Sequence, residues 1–204
     1  MSFYYCERTS IYAFAEPINT ISNLAFILCG LYLIFKKDMK LNIFPYLIIF
    51  IGIGSFLFHL LPTKTFSTLD IFSIILFVFS YNYVLNKNVL GKSPIYSLLS
   101  SIFVIIASFY LGKLLLNTII GSSSFYLGLL IYMIFMMLLI KKNKNAKYFL
   151  FATLLFTASI LIRSIDFYVC NYFKTGSHFI WHILNSIVLY LLVMFLSSTN
   201  RTSP

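Results

Sequence analysis

Apolar runs and short polar breaks alternate along this chain on a scale much longer than the pattern of a soluble helix or strand. Seven apolar runs occupy residues 18–35, 43–61, 69–85, 95–112, 123–140, 148–168 and 178–197. Each approaches the roughly 20 residues that a helix needs to cross a hydrocarbon layer. The breaks are polar and turn-like: KKDMK at 36–40, PTKTFST at 62–68, NKNVLGKSP at 86–94, KKNKNAK at 141–147 and NYFKTGS at 171–177. The fourth and fifth runs are least clearly divided, because residues 114–120 remain largely apolar. The pattern predicts an all-α polytopic membrane protein, a seven-transmembrane helix bundle. No repeat or linker interrupts it, so one domain is expected over residues 1–204. Residues 1–17 then form an outer N-terminal segment and 198–204 a short cytoplasmic tail.

Composition supports a hydrocarbon solvent. The chain is 60% hydrophobic and only 10% charged, against about 25% charged in a typical soluble domain. The first ten residues, MSFYYCERTS, lack a basic start followed by an apolar run, so no cleavable signal peptide is expected. The net charge of +10 does not indicate a nucleic-acid partner, because the basic residues lie in short clusters between apolar runs. There they set topology. One set of alternate loops holds ten Lys and Arg: Lys36, Lys37, Lys40, Lys87, Lys92, Lys141, Lys142, Lys144, Lys147 and Arg201. The other holds four, Arg8, Lys64, Lys113 and Lys174, while Arg163 falls inside a run. The positive-inside rule therefore predicts an integral multi-pass protein with its N-terminus outside and its C-terminus cytoplasmic, consistent with an odd number of spans.

Ionisable groups inside a membrane are costly and commonly functional. The chain has three histidines, His59, His178 and His182, and five acids, Glu7, Glu16, Asp38, Asp70 and Asp166. In the predicted topology all three histidines and every acid except Asp38 fall at the outer level. His59 ends the second run, Asp70 begins the third, Arg163 and Asp166 lie near the end of the sixth, and His178 and His182 begin the seventh. A spacing of four puts His178 and His182 on one helix face, and Ser55 and His59 on another. Three neutral imidazoles with an open position make a catalytic zinc arrangement, and Asp70 is a carboxylate available to handle the proton of an activated water. Blander readings stand beside this one. A histidine near an interface is commonly only an interfacial polar group, and the 178/182 pair can arise by chance in an aromatic segment. Arg163 and Asp166, three apart, read as a mutually neutralising pair. Trp181 reads as an interfacial anchor, and Gly52 and Gly54 as points of close helix packing.

Three blocks resemble a known family. The first is Cys6-Glu7 followed by Glu16-Pro17-Ile18-Asn19-Thr20-Ile21-Ser22-Asn23. The second is Gly52-Ile53-Gly54-Ser55-Phe56-Leu57-Phe58-His59, followed by Asp70. The third is Arg163-Ser164-Ile165-Asp166, then Cys170, then His178-Phe179-Ile180-Trp181-His182. In order and spacing they resemble the alkaline ceramidases, within a superfamily of seven-helix membrane hydrolases that also includes adiponectin and progestin receptor-like proteins. The resemblance implies a zinc-dependent amidase that cleaves ceramide to a sphingoid base and a fatty acid. It implies zinc on His59, His178 and His182, proton handling by Asp70 and oxyanion stabilisation by Ser55. It also implies a disulfide between Cys6 and Cys170, both on the predicted outer side, with Cys29 inside the first run. Eukaryotic members carry a calcium site in an acid-rich N-terminal segment, and Glu7 and Glu16 align with two of its acids. Tyr4 and Thr9 depart from that pattern and Arg8 intrudes on it. Two carboxylates beside an arginine are a poor match for the about six to eight oxygens that calcium prefers.

The resemblance implies a lipid substrate in the membrane, ceramide or another N-acyl lipid. A receptor-like lipid-binding protein with little turnover is the alternative within the same superfamily. A metal or proton transporter fits less well, because the cytoplasmic halves of the runs carry few polar residues.

Overall fold

The computed structural model describes residues 5–36, 43–116 and 121–200. Tyr4, Lys37, Asp38, Lys40, Arg201 and Pro204 lie outside them. The described residues form helices and turns: α1 (Pro17–Ser22), α2 (Leu24–Phe35), α3 (Ile43–Leu60), α4 (Lys64–Val84), α5 (Pro94–Leu114), α6 (Ser124–Ile140), α7 (Ala146–Ser164), α8 (Asp166–Val169) and α9 (His178–Asn200). The first span combines α1 and α2, whose junction at Asn23 keeps a helical backbone. Among the described residues, six helical segments have the length and apolarity to cross a membrane, and α6 is a shorter apolar helix. The protein is therefore an all-α polytopic membrane bundle.

Local chemistry sets the helix ends and moves two of the predicted boundaries. The segment at 62–68 was expected to be a loop with Asp70 at the start of the third run. Instead, the Thr63 hydroxyl caps α4 by accepting the Phe66 N–H at 3.2 Å, and helix begins at Lys64. Asp70 therefore lies in the second turn of α4, because a threonine cap outweighs the polarity of the residues after it. At its far end α4 passes into a π-helical turn, Leu85–Val89. The run predicted as 148–168 is divided. Helix α7 ends at Ser164, Ile165 leaves helical geometry, and Asp166 starts the separate turn α8. Ser93 caps α5 by accepting the Tyr96 N–H at 3.2 Å, with Pro94 at the first helical position, where its missing N–H costs nothing.

The helices pack in chain order around a closed ring, α2–α3–α4–α5–α6–α7–α9, which closes where α9 meets α2. Helix α5 turns small residues inward, Ser97, Ser101, Ser108 and Gly112. Such residues allow close helix approach where lipid supplies no hydrophobic driving force between helices. The outer surface of the ring is apolar, with Phe103, Tyr110 and Leu138 all largely exposed, as a hydrocarbon solvent requires. The ring places the ends of α3 and α7 and the starts of α4 and α9 around one mouth, over which the N-terminal segment folds.

Candidate metal centre

The three histidines meet at this mouth. His59 lies in the last turn of α3, and His178 and His182 occupy the first two turns of α9. All three are at most 2% exposed. Their ring centroids are 5.2 Å (His59–His178), 4.8 Å (His59–His182) and 4.7 Å (His178–His182) apart. One ring nitrogen from each lies within 4.8 Å of the others.

Surrounding groups orient two of the rings. Nδ1 of His59 is 2.5 Å from Oε2 of Glu16, and Nδ1 of His182 is 2.7 Å from the Ser22 hydroxyl. Both contacts engage Nδ1 and leave Nε2 as the ligand nitrogen, the arrangement that second-shell partners impose on metal-binding histidines. His178 is held differently. Its backbone N–H donates to Oδ1 of Asp166 at 2.9 Å, Arg163 Nη1 lies 3.2 Å from its Nδ1, and the Tyr5 ring packs 4.1 Å from its own.

Asp166 and Arg163 are not a neutralising pair, contrary to the sequence expectation. Asp166 accepts the Ser177 N–H at 2.7 Å as well as that of His178, which caps the start of α9. Its other oxygen accepts the Cys6 N–H at 2.9 Å. The break at Ile165 turns Asp166 toward these orphan donors, while Arg163 stays on α7 and faces the cavity. Trp181 is not an interfacial anchor either. It is 6% exposed and packs on Tyr126 and Phe156 inside the bundle, with the Arg163 guanidinium 5.2 Å from its ring.

A disulfide joins Cys6 to Cys170, with Cα atoms 5.5 Å apart, and fastens the N-terminal strap beside α8. Gly176 makes this crossing possible. Its φ is +64°, and a Cβ there would collide with Asp166 and Cys6. Gly54 plays a similar part between helices, since a Cβ would meet the Asp70 Cα and the Leu69 carbonyl oxygen at 3.3 Å. That close approach brings Ser55 beside Asp70, whose carboxylate accepts a hydrogen bond from the serine. Oδ1 of Asp70 is buried and has no hydrogen-bond partner among the described residues.

These residues border a cavity of about 680 Å³, which includes Tyr5, Ser55, Asp70, Arg163 and the three histidines. It extends to Ile71 of α4 and Phe109 of α5, both about half exposed on the lipid-facing surface. A smaller apolar cavity of about 110 Å³ lies deeper and shares Phe26, Ile51, Ile74, Tyr126 and Trp181 with it. Tyr5, Ser22 and Arg163 were given no part in the site by sequence reasoning. Arg163 alone carried a signal, as a cation within an apolar run, and its i+3 aspartate masked it.

Three buried imidazoles, two oriented through Nδ1, fit a metal ion such as zinc. The N-terminal acids do not fit calcium. Glu7 accepts the Ile18 and Asn19 N–H groups at 2.7 and 2.8 Å and so caps α1 with both oxygens. Glu16 places Oε1 on Arg8, while Oε2 faces His59 and accepts the Asn19 amide at 2.9 Å. Burial raises both carboxyls above their ordinary range; helix N–H donors oppose this at Glu7, and Asn19 and Arg8 oppose it at Glu16.

The profile of the family described as Ceramidase matches residues 2–203, nearly the whole chain. The chain belongs to the ceramidase family. No curated protein sequence matches it significantly. Membership of the ceramidase family, together with the apolar helices, supports an integral membrane hydrolase acting on amide bonds.

Proposed function

We propose that the protein is a zinc-dependent membrane amidase that hydrolyses ceramide or a related N-acyl lipid to a fatty acid and a sphingoid base or amine. The observation that carries this reading is the convergence of His59, His178 and His182 in a cavity that Asp70 also lines and that reaches the lipid-facing surface. The three histidines would hold the ion. When bound, zinc supplies Lewis acidity, which makes water more acidic and polarises a carbonyl.

The remaining chemistry belongs to side chains. Asp70 takes a proton from the attacking water at Oδ1. The water oxygen bonds to the carbonyl carbon, the carbon–nitrogen bond breaks, and Asp70 returns the proton to the leaving nitrogen. Ser55, expected from the resemblance to stabilise the oxyanion, donates instead to the Asp70 carboxylate and aims it. Arg163, whose Nε has no acceptor among the described residues, is assigned as a donor to the carbonyl oxygen as it gains charge. The passage between Ile71 and Phe109 admits an acyl chain sideways from the bilayer, and the deeper apolar cavity takes part of it. By the charge rule this mouth faces away from the cytoplasm, and the chain acts as one domain.

The test is incubation of purified protein with ceramides and other N-acyl lipids, measuring free fatty acid with and without a zinc chelator. Chelator-sensitive release supports the proposal. Saturable lipid binding without release from zinc-loaded protein would replace it with the receptor-like reading.

A further inference from the structure

The two N-terminal acids sit where an external cation would be expected, yet the chain provides one of its own. Glu16 is fully buried, and an isolated carboxylate there would be strongly disfavoured. Its Oε1 pairs with the Arg8 guanidinium, and the Arg8 side chain is itself 7% exposed and lies 5.6 Å over the Phe58 ring. Oε2 of the same carboxylate holds Nδ1 of His59. The order is therefore guanidinium, carboxylate, imidazole. The backbone fixes where this chain of contacts begins. Cys6, two residues before Arg8, is bonded to Cys170 and donates its N–H to Asp166, and the Arg8 N–H closes a turn on the Tyr5 carbonyl at 3.1 Å. Glu7 is turned away and engaged with the start of α1.

We propose that Arg8 is a built-in cation that takes the place of a divalent ion beside Glu16, so that the strap positions His59 without calcium. An arginine suits this task because it stays charged and offers a fork of donors to a carboxylate. A divalent ion approaching Glu16 would meet that fixed positive charge and would find no free carboxylate oxygen on Glu7. Arg8 is thus a positioning residue, acting on the metal ligand through Glu16. The inference rests on the zinc reading of the histidine cluster.

The test compares wild type with Arg8→Lys, which keeps a cation, and Arg8→Met, which keeps apolar bulk over Phe58 without charge. Zinc affinity is measured by competition with a chromophoric chelator, and the ligand set by the visible spectrum of the cobalt-loaded protein. Outer-shell partners of a metal ligand typically contribute about 10–100-fold to affinity. Arg8→Met is expected to weaken zinc by that factor and to alter the cobalt spectrum, with Arg8→Lys recovering most of the loss. In parallel, wild type is titrated with calcium chloride during thermal unfolding, and with terbium while its luminescence is followed. Neither ion is expected to bind. An Arg8→Met protein that holds zinc as tightly as wild type would overturn the proposal, as would a thermal midpoint of wild type that rises with calcium. If Arg8→Met does not fold, the wild-type titrations decide. If wild type loads no zinc, the zinc reading falls, while the calcium titration still determines whether Arg8 excludes a divalent ion.

Discussion

Gly54 offers a direct way to move Asp70 without altering any reacting group. A Cβ at position 54 would lie 3.3 Å from the Asp70 Cα and the Leu69 carbonyl oxygen, and 3.4 Å from the Asp70 nitrogen. All three are backbone atoms, so no side chain can swing aside, and in Gly54→Ala α3 and α4 must separate by a few tenths of an ångström. Such overpacking costs about 1–3 kcal/mol of stability. The separation acts on the Ser55–Asp70 hydrogen bond, which spans the same contact. A misplacement of about 1 Å costs roughly 100-fold in rate, so a few tenths should lower kcat by about 3–10-fold, or about 0.6–1.4 kcal/mol. His178 and His182 come from α9, away from this contact, and His59 lies five residues beyond Gly54 at the end of α3, where Glu16 holds it, so zinc content should stay at the wild-type level. The assay is turnover of an N-acyl lipid per bound zinc, alongside thermal unfolding. Gly52→Ala is the comparison. Its Cβ would meet Ile27 Cγ1 at 2.9 Å and Phe26 Cβ at 3.0 Å, a tighter clash but against α2 rather than α4. It should lower the thermal midpoint more than Gly54→Ala and kcat less. A Gly54→Ala protein with full zinc and wild-type kcat would refute the claim that this close approach sets the position of Asp70.

His182→Ala should abolish stoichiometric zinc in metal analysis, because it removes one of three imidazoles and releases Ser22 from the site. Asp70→Asn should keep zinc and lose about 10²–10⁴-fold in turnover, the usual contribution of a positioned proton acceptor; near-normal activity would leave Asp70 a structural residue. Reduction of the Cys6–Cys170 bond should lower the thermal midpoint. Its sequence separation is 164, for which chain-entropy models give roughly 5 kcal/mol, an upper bound in a chain already held by a membrane. A reporter that requires the cytoplasm, fused at Pro204, should be active, and one that requires the opposite side should be silent; the reverse pattern would place the histidine cluster facing the cytosol.

The parts of this protein that were legible in its sequence are those governed by local rules. Hydrocarbon thickness fixes span length, so the apolar runs gave the fold class, while the Thr63 cap, the π-helical turn to Val89, the break at Ile165 and the continuation of α9 to Asn200 shifted boundaries. Helical spacing put His178 beside His182 and Ser55 beside His59, but spacing cannot bring two helices together. Gly54 makes one such approach possible, and the role of a missing Cβ depends on the neighbour it admits. Charge partners were the least legible, because sequence proximity suggests the wrong ones. Asp166 lies three residues from Arg163, yet it serves the N–H groups of Ser177, His178 and Cys6. Arg8 lies next to Glu7, yet it pairs with Glu16. In both cases the unsatisfied donors of a helix start had claimed the adjacent acid, since a buried helix end without acceptors is costly. The arginine was then left to a more distant group near the histidines. The two helix caps and the two cations of the site are therefore one arrangement: capping α1 and α9 with Glu7 and Asp166 releases Arg8 toward Glu16 and Arg163 toward the cavity.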